Sequence, residues 1–313
     1  MQRYLLSRLL QSVLIVIGVL VVVFFMLRVT GDPAALMMPR EGATPETLEA
    51  FRHKLGFDRP LMVQFVDFMA HALVGDFGNS IRFKTPALPL VLERLPATLQ
   101  LAGLAMAMGI VVAIPLGLVA GSRPGTLWDG LARTLGLFGQ SVPNFVLGMV
   151  LIVVVGVWLK LLPVAGRFNL EGNVDLKRMI MPAFVLGLPT MGALVRLTRS
   201  AVLEIRGEDY IRTAHSKGLH PRLVYVRHIL RNAAIPIVSV LGVWFGYMLG
   251  GSVYVETVFG YPGMGMILAE AVGNRDFTLV QALAFFVCLV VVVLNLITDL
   301  AYAIIDPRIR YGS

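Results

Sequence analysis

Residues 9–27 read LLQSVLIVIGVLVVVFFML, a run without an acidic or basic side chain, closed on either side by Arg8 and Arg28. An α-helix rises about 1.5 Å per residue and needs about 20 apolar residues to cross a hydrocarbon core about 30 Å thick. The stretch therefore reads as a membrane span. It is longer than the apolar region of a secretory signal, and no small-x-small cleavage site follows it, so it is expected to stay as a helix. Further charge-free runs cover 95–122, 134–159, 179–195, 232–255 and 277–298. Of 313 residues, 57% are hydrophobic and 15% charged, against about 25% charged in a soluble domain. The run at 179–195 is short, and Thr198 with the snorkelling arms of Arg196 and Arg199 completes it. The expectation is an all-α membrane protein with six transmembrane helices.

Charge sets the expected orientation. With the N-terminus inside, the cytoplasmic segments and helix ends hold 14 of the 27 Lys and Arg and six of the 19 acids. The outer side then carries 13 of each, so the whole formal charge of +8 is cytoplasmic. The positive-inside rule thus puts both termini inside, and the densest basic run follows the fourth span. Topology accounts for the basic balance, which leaves little support for a nucleic-acid partner. The expected organisation is an N-terminal tail and first helix over 1–30, a long outer loop over 31–94, and a five-helix core over 95–313. That core carries a cytoplasmic loop at 206–231.

Catalytic signals are missing from the sequence. The single cysteine, Cys288, lies in an apolar run and cannot form an intrachain disulfide. The five histidines show no metal-binding spacing, and no phosphate-binding G-x-x-x-x-G-K-[ST] occurs. No cofactor is expected in this chain, and any use of ATP falls to another one. Asp299, the one acid inside an apolar run, reads as a polar residue at a helix end.

The outer loop is too long for a plain connector. ATPETLEAFRHKLGF offers Thr44 as an N-cap, Pro45 at the first helical position and Gly56 as a stop. RPLMVQFVDFMAHALVGD places Leu61, Phe65, Phe68 and Ala72 on one helical face, as Leu48, Phe51 and Leu55 do in the first segment. These two amphipathic helices either pack over the bundle or dock a soluble partner. In the third span, GQSVPNF puts Pro143 among Gln140, Ser141 and Asn144, a pattern for a kink or a polar lining. In the fifth, Gly242, Gly246 and Gly250 recur every four residues and allow close helix approach or line a pathway. After it, Pro262, Gly263 and Gly265 suggest a tight turn, and Met266, Leu268 and Ala269 a short apolar helix, read either as an outer gate or as packing against the outer-loop helices.

Residues 208–218, EDYIRTAHSKG, form a charged insert between two apolar runs. As a helix it places Tyr210, Thr213, Ala214 and Lys217 on one side, and Gly218 ends it in the left-handed conformation. Pro221 then starts a second basic helix, before AAIP leads into the fifth span. A plain positive-inside loop needs none of this order. The segment GEDYIRTAHSKGLHPRLVYVRHILRNAAIP resembles the coupling loop of permease subunits in ABC importers of the dipeptide, oligopeptide, glutathione and nickel group. The resemblance extends through LGFDRPLMVQF, GDFGNSI, RLPATLQLA, SVPNFVLGMVLI, GGSVYVETVFGYPGMGMIL and DLAYAIIDPRIRYG. One departure concerns the E-A-A-x-x-x-G pattern of importers. Arg212 and Thr213 replace its first two positions, while Ala214 and Gly218 keep theirs.

The resemblance implies a peptide-importing permease of the inner membrane, with glutathione or nickel complexes as alternative cargo. It further implies a second related permease, two cytoplasmic ATPase subunits that bind ATP and Mg, and an extracytoplasmic solute-binding protein. It gives Asp209, Tyr210, Arg212, Thr213, Ala214, Lys217 and Gly218 a coupling role toward the ATPase. A self-contained secondary transporter is the rival. It would favour inverted repeats and intramembrane charges, and the sequence displays neither.

Overall fold

The computed structural model describes residues 2–29, 34–35, 44–54 and 56–305. Among them the chain is helical, and two isolated β-bridges, Asn79 to Pro86 and Phe168 to Val174, are the only extended pairings. Helix α1 is Gln2–Val29, α2 Pro45–Lys54, α3 Leu61–Leu73, α4 Ala87–Ser122, α5 Leu127–Ser141 and α6 Asn144–Leu151. A π-helical extension of α6 covers Ile152–Trp158. Then come α7 Leu176–Gly207, α8 Asp209–Ser216, α9 Pro221–Val224, α10 Arg231–Val258, α11 Met264–Gly273 and α12 Phe277–Ile305.

Among the described residues five helices are long and apolar enough to cross a membrane, and a sixth span exists if α5 and α6 with its π-helical extension count as one. Those two meet at a bend of 104°, so the expected run 134–159 is broken rather than gently kinked. The cause is local. Pro143 lacks an N–H and drives the residue before it out of helical geometry, and Val142 accordingly sits at φ −93°, ψ 122°. The fourth span exceeds its charge-free run, since α7 holds 32 residues and carries Arg196, Arg199 and Arg206 inside the helix.

The fifth span also departs from expectation. No turn separates a basic helix from it. Pro221–Val224, a π-helical stretch at Tyr225–Leu230 and Arg231–Val258 follow one another directly, with Pro236 inside the helix. Ile229, Ala233 and Ile237 are all buried and repeat every four residues. One continuous apolar stripe thus holds the helix together across the proline. The C-terminal DPRIRYGS, with Asp306, Arg308, Arg310 and Ser313, lies outside the described residues, as does Leu55.

The chain divides into two compact units, one of residues 1–97 and 263–292, the other of 98–262 and 293–313. In the first, Ala72, Phe77, Ala87 and Val91 share a core with Met264, Ile267, Ala271, Leu279 and Leu283. Asp276 is fully buried there, accepts from Ser80 Oγ at 2.5 Å and caps the start of α12 through Leu279 N at 3.2 Å. Helix α3 packs on α1: the Phe65 and Phe68 rings lie 5.3 and 5.6 Å from Phe24, and Arg28 Nε donates to Gln64 Oε1 at 3.1 Å. Leu61 departs from the expected face and is half exposed. At the start of α2, Thr44 and Thr47 cap one another's backbone N–H, and Gly56 takes a positive φ of 68° where the stop was expected.

In the second unit α7 is the central helix. Its buried face includes Leu188, Met191, Leu194 and Val195, which pack with Ala113, Ala120, Ala132 and Ile237. Glycines let backbones approach closely, as membrane helices require. A Cβ at Gly139 would stand 2.7 Å from the Leu188 carbonyl oxygen, and one at Gly187 2.7 Å from that of Ala105.

Candidate functional site

The break at Pro143 positions a cavity of the second unit. It has a volume of about 890 Å³, and Gln140, Ser141, Asn144, Phe145, Trp244 and Tyr247 lie on its wall with Gly250, Gly251 and Tyr254. Non-helical backbone at membrane depth survives only where it is buried in protein or lines a cavity. The broken helix meets that condition here. Trp244, Tyr247, Gly251 and Tyr254 occur at helical spacing on α10, so one face of that helix supplies aromatic rings and bare backbone. Gly250 has open space where a side chain would go.

Polar groups at the break are held in place. Arg196 donates from Nη2 to Gln140 Oε1 at 2.5 Å and from Nη1 to Gly136 O at 3.3 Å. Ser141 Oγ donates to Leu137 O at 2.8 Å. The lining is thus amide, hydroxyl, phenol and indole, with no ionised side chain on it. Among the described residues no cluster of metal-ligating side chains forms. Such a wall can hold a solute by hydrogen bonds and aromatic contact.

The structure brings Gln140, Ser141, Asn144 and Gly250 together at this cavity and leaves two of the spaced glycines elsewhere. Gly242 abuts α12, where an added Cβ would fall 2.5 Å from Thr298 Oγ1, and Gly246 is half-buried away from the wall. The expected turn after the fifth span also moves. It falls at Gly260, with φ 55°, and Tyr261 N donates back to Glu256 O at 2.8 Å. Gly263 is instead the N-cap of α11 in extended geometry. Gly265 is buried inside that short apolar helix, and Met266 is half-buried. In the first unit α11 packs against Ala72 and Phe77. Burial pushes the Tyr261 phenol up to about 12, with Arg167 acting the other way.

Helix α8, Asp209–Ser216, has two faces. Ile211 and Ala214 are buried with Ala201, Val202, Val224, Ile229 and Ala233. Ala214 therefore does not share the outer face with Tyr210, Thr213 and Lys217, contrary to the expectation. At 3.6 residues per turn the pair 211 and 214 defines one stripe, and the chain's own core claims it. Asp209, Tyr210, Arg212, Thr213 and Lys217 remain exposed. Tyr210 Oη accepts from Asn232 Nδ2 at 3.2 Å, tying α8 to the base of α10. Gly218 has the expected left-handed backbone, φ 73°, and Leu219 N closes the helix end on Ala214 O at 3.3 Å.

Sequence reasoning missed the buried polar contacts. Asp129, one of the six acids counted on the cytoplasmic side, is buried and accepts from Arg199 Nε at 2.5 Å, Arg133 Nη2 at 2.7 Å and Gly125 N at 2.9 Å. Arg199 is thus a clamp between α7 and α5, not a snorkelling arm. Glu256 is also buried and accepts from Thr98 Oγ1 at 2.7 Å. The four-residue spacing of Asp129 and Arg133 was legible as a helical ion pair. The Arg199 and Thr98 partners, 70 and 158 positions away, were not.

A bundle of membrane-crossing helices, one of them broken at a polar-lined cavity, defines a transport protein of the membrane. Comparison with known proteins makes this specific. Residues 113–311 match the family described as binding-protein-dependent transport system inner membrane component, and residues 1–102 match the N-terminal part of the same kind of membrane component. The chain belongs to this family and is an inner membrane component. It is 36% identical to the dipeptide transport system permease protein DppB of Escherichia coli, over 99% of each chain. It is also 36% identical to the oligopeptide transport system permease protein AppB of Bacillus subtilis, over 99% of this chain and 100% of that one. The fold matches an inward-facing structure of the MetNI methionine ABC transporter, with a TM-score of 0.56, 18% identity, and coverage of 69% of this chain and 96% of that one.

Proposed function

We propose that this chain is the permease subunit of an ATP-driven importer of di- or oligopeptides and forms half of the translocation pathway. The full-length similarity to relatives named for dipeptide and oligopeptide transport carries the cargo reading. The cavity at the Pro143 break supports it, because peptide amides are matched by the amides of Gln140 and Asn144, and variable side chains by aromatic faces. A solute-binding protein delivers the peptide from outside, a second related permease completes the pathway, and two ATPase subunits bind ATP and Mg. Both termini and α8 face the cytoplasm, on the charge asymmetry.

In this reading α8 is the seat for an ATPase. Its exposed residues Asp209, Tyr210, Arg212, Thr213 and Lys217 meet the partner, while Ile211 and Ala214 anchor it to α7 and α10. A displacement of α8 then tilts the helices that wall the cavity, through the apolar anchor and the Tyr210–Asn232 bond, and gives alternating access. The test is a double charge reversal, Arg212→Glu with Lys217→Glu, in cells that depend on this chain. Uptake of radiolabelled dipeptide should fall and ATPase subunits should no longer co-purify, at unchanged membrane level. Normal uptake with retained subunits would refute the coupling role. Uptake of glutathione but no peptide by the wild type would refute the cargo.

A further inference from the structure

We propose that the outer seam between α4 and α5 binds one anionic phospholipid, with its phosphate on Arg123 and an acyl chain in the groove. The groove, about 1150 Å³ in volume, is lined by Val112, Pro115, Leu116 and Val119 of α4 and by Leu131 and Leu135 of α5. The opposite stripe of the same two helices is taken by α7, since Ala113, Ala120 and Ala132 are fully buried against its side chains. The groove therefore lies on the outside of this pair: Leu116 and Leu135 form its half-buried floor against the α7 core, while Val112 and Leu131 stay exposed by 43% and 55%.

One end of the groove is amphipathic. Ser122, Arg123, Trp128 and Tyr225 gather there. The two hydroxyls are already committed, because Ser122 Oγ donates to Leu118 O at 2.5 Å and Tyr225 Oη donates to the same oxygen at 2.6 Å. Arg206, the nearby cation, is spent on the carbonyls of Gly121 and Ser122. The Arg123 guanidinium is exposed and has no acceptor among the described residues. It is thus a cation left without a counter-charge at the mouth of an apolar channel, beside a half-exposed indole of the kind that sits at headgroup level.

Length selects the occupant. From Val112 to Arg123 the helix advances about 16 Å, close to the roughly 15 Å of one leaflet of the hydrocarbon core. Arg123 is also the first charge after the run 95–122, so hydropathy places it at the depth where phosphates lie. A phospholipid brings charge and chain to that place in register, whereas a protein helix would need an acid at this one depth. Basic pockets between membrane helices bind anionic headgroups by the same logic.

The full-length chain, purified with the subunits that accompany it, is reconstituted into dioleoylphosphatidylcholine vesicles. These contain increasing fractions of brominated phosphatidylglycerol or brominated phosphatidylcholine. Quenching of Trp128 is isolated as the difference between wild type and Trp128→Phe. The brominated phosphatidylglycerol should half-saturate at about a fivefold lower mole fraction than the phosphatidylcholine, the equivalent of about 1 kcal/mol for one basic residue at an anionic surface. Arg123→Gln, an exposed change that leaves the core intact, should merge the two curves. Val119→Phe, which fills the groove and keeps Arg123, should weaken quenching by both lipids. Identical curves in the wild type, or a preference that survives Arg123→Gln, would overturn the site. So would absence of quenching by either lipid, since that places a protein partner in the seam.

Discussion

Helix α7 touches α4 where Gly187 faces Ala105, and the contact predicts a measurable asymmetry between two glycines. A Cβ on Gly187 would stand 2.7 Å from the Ala105 carbonyl oxygen and 3.3 Å from its carbonyl carbon. Those are backbone atoms, so relief requires shifting one helix against the other by a few tenths of an ångström or more. Overpacking of this kind costs about 1–3 kcal/mol. Gly103, on α4, has nothing within 4 Å of its added Cβ. Both substitutions to alanine gain the same helix propensity, about 1 kcal/mol, so the difference between Gly187→Ala and Gly103→Ala isolates the clash. At about 2–4 °C per kcal/mol, Gly187→Ala should melt about 2–12 °C below Gly103→Ala. Tryptophan fluorescence in detergent reads it, since Trp128, Trp158 and Trp244 all lie in the same unit as Gly187. Equal midpoints, or a higher one for Gly187→Ala, would refute the close crossing.

Four further outcomes are expected. Gly250→Val projects a side chain into the cavity, so peptide uptake should fall severalfold while stability stays within about 0.5 kcal/mol of wild type; unchanged uptake would remove Gly250 from the pathway. Asp129→Asn strips the mostly buried Arg199 of its counter-ion and should lower membrane level more than Arg133→Gln, since the Arg133 side chain is 62% exposed; immunoblotting of membranes compares them. The Tyr261 phenol, raised to about 12 by burial, favours the fold while neutral. That contribution is complete below a pH of about 10 and is lost as pH rises through 12; an alkaline ultraviolet titration minus that of Tyr261→Phe should stay flat until the upper end of that window. Finally, with Cys288 buried, Glu46→Cys should react with an impermeant maleimide on intact cells and Lys217→Cys should not; the reverse pattern would invert the topology.

The sequence by itself determined the spans, because membrane insertion is a one-dimensional property: an uninterrupted apolar run near 20 residues suffices. It also announced the helix stop at Gly218 and the capped start at Thr44, since both depend on neighbours within a few positions. The break at Pro143 was legible as a local defect, but its 104° bend required knowing what fills the space beside it. Tertiary structure alone decided which face of α8 is free. Helical spacing grouped Ala214 with Tyr210, Thr213 and Lys217, and only the apolar pocket made by Ala201, Val202 and Ile229 turned it inward. The same holds for Arg199, whose partner Asp129 lies 70 residues away. A charge pair of that separation leaves no periodic trace in the chain, and it becomes visible only when close glycine contacts bring α5 against α7.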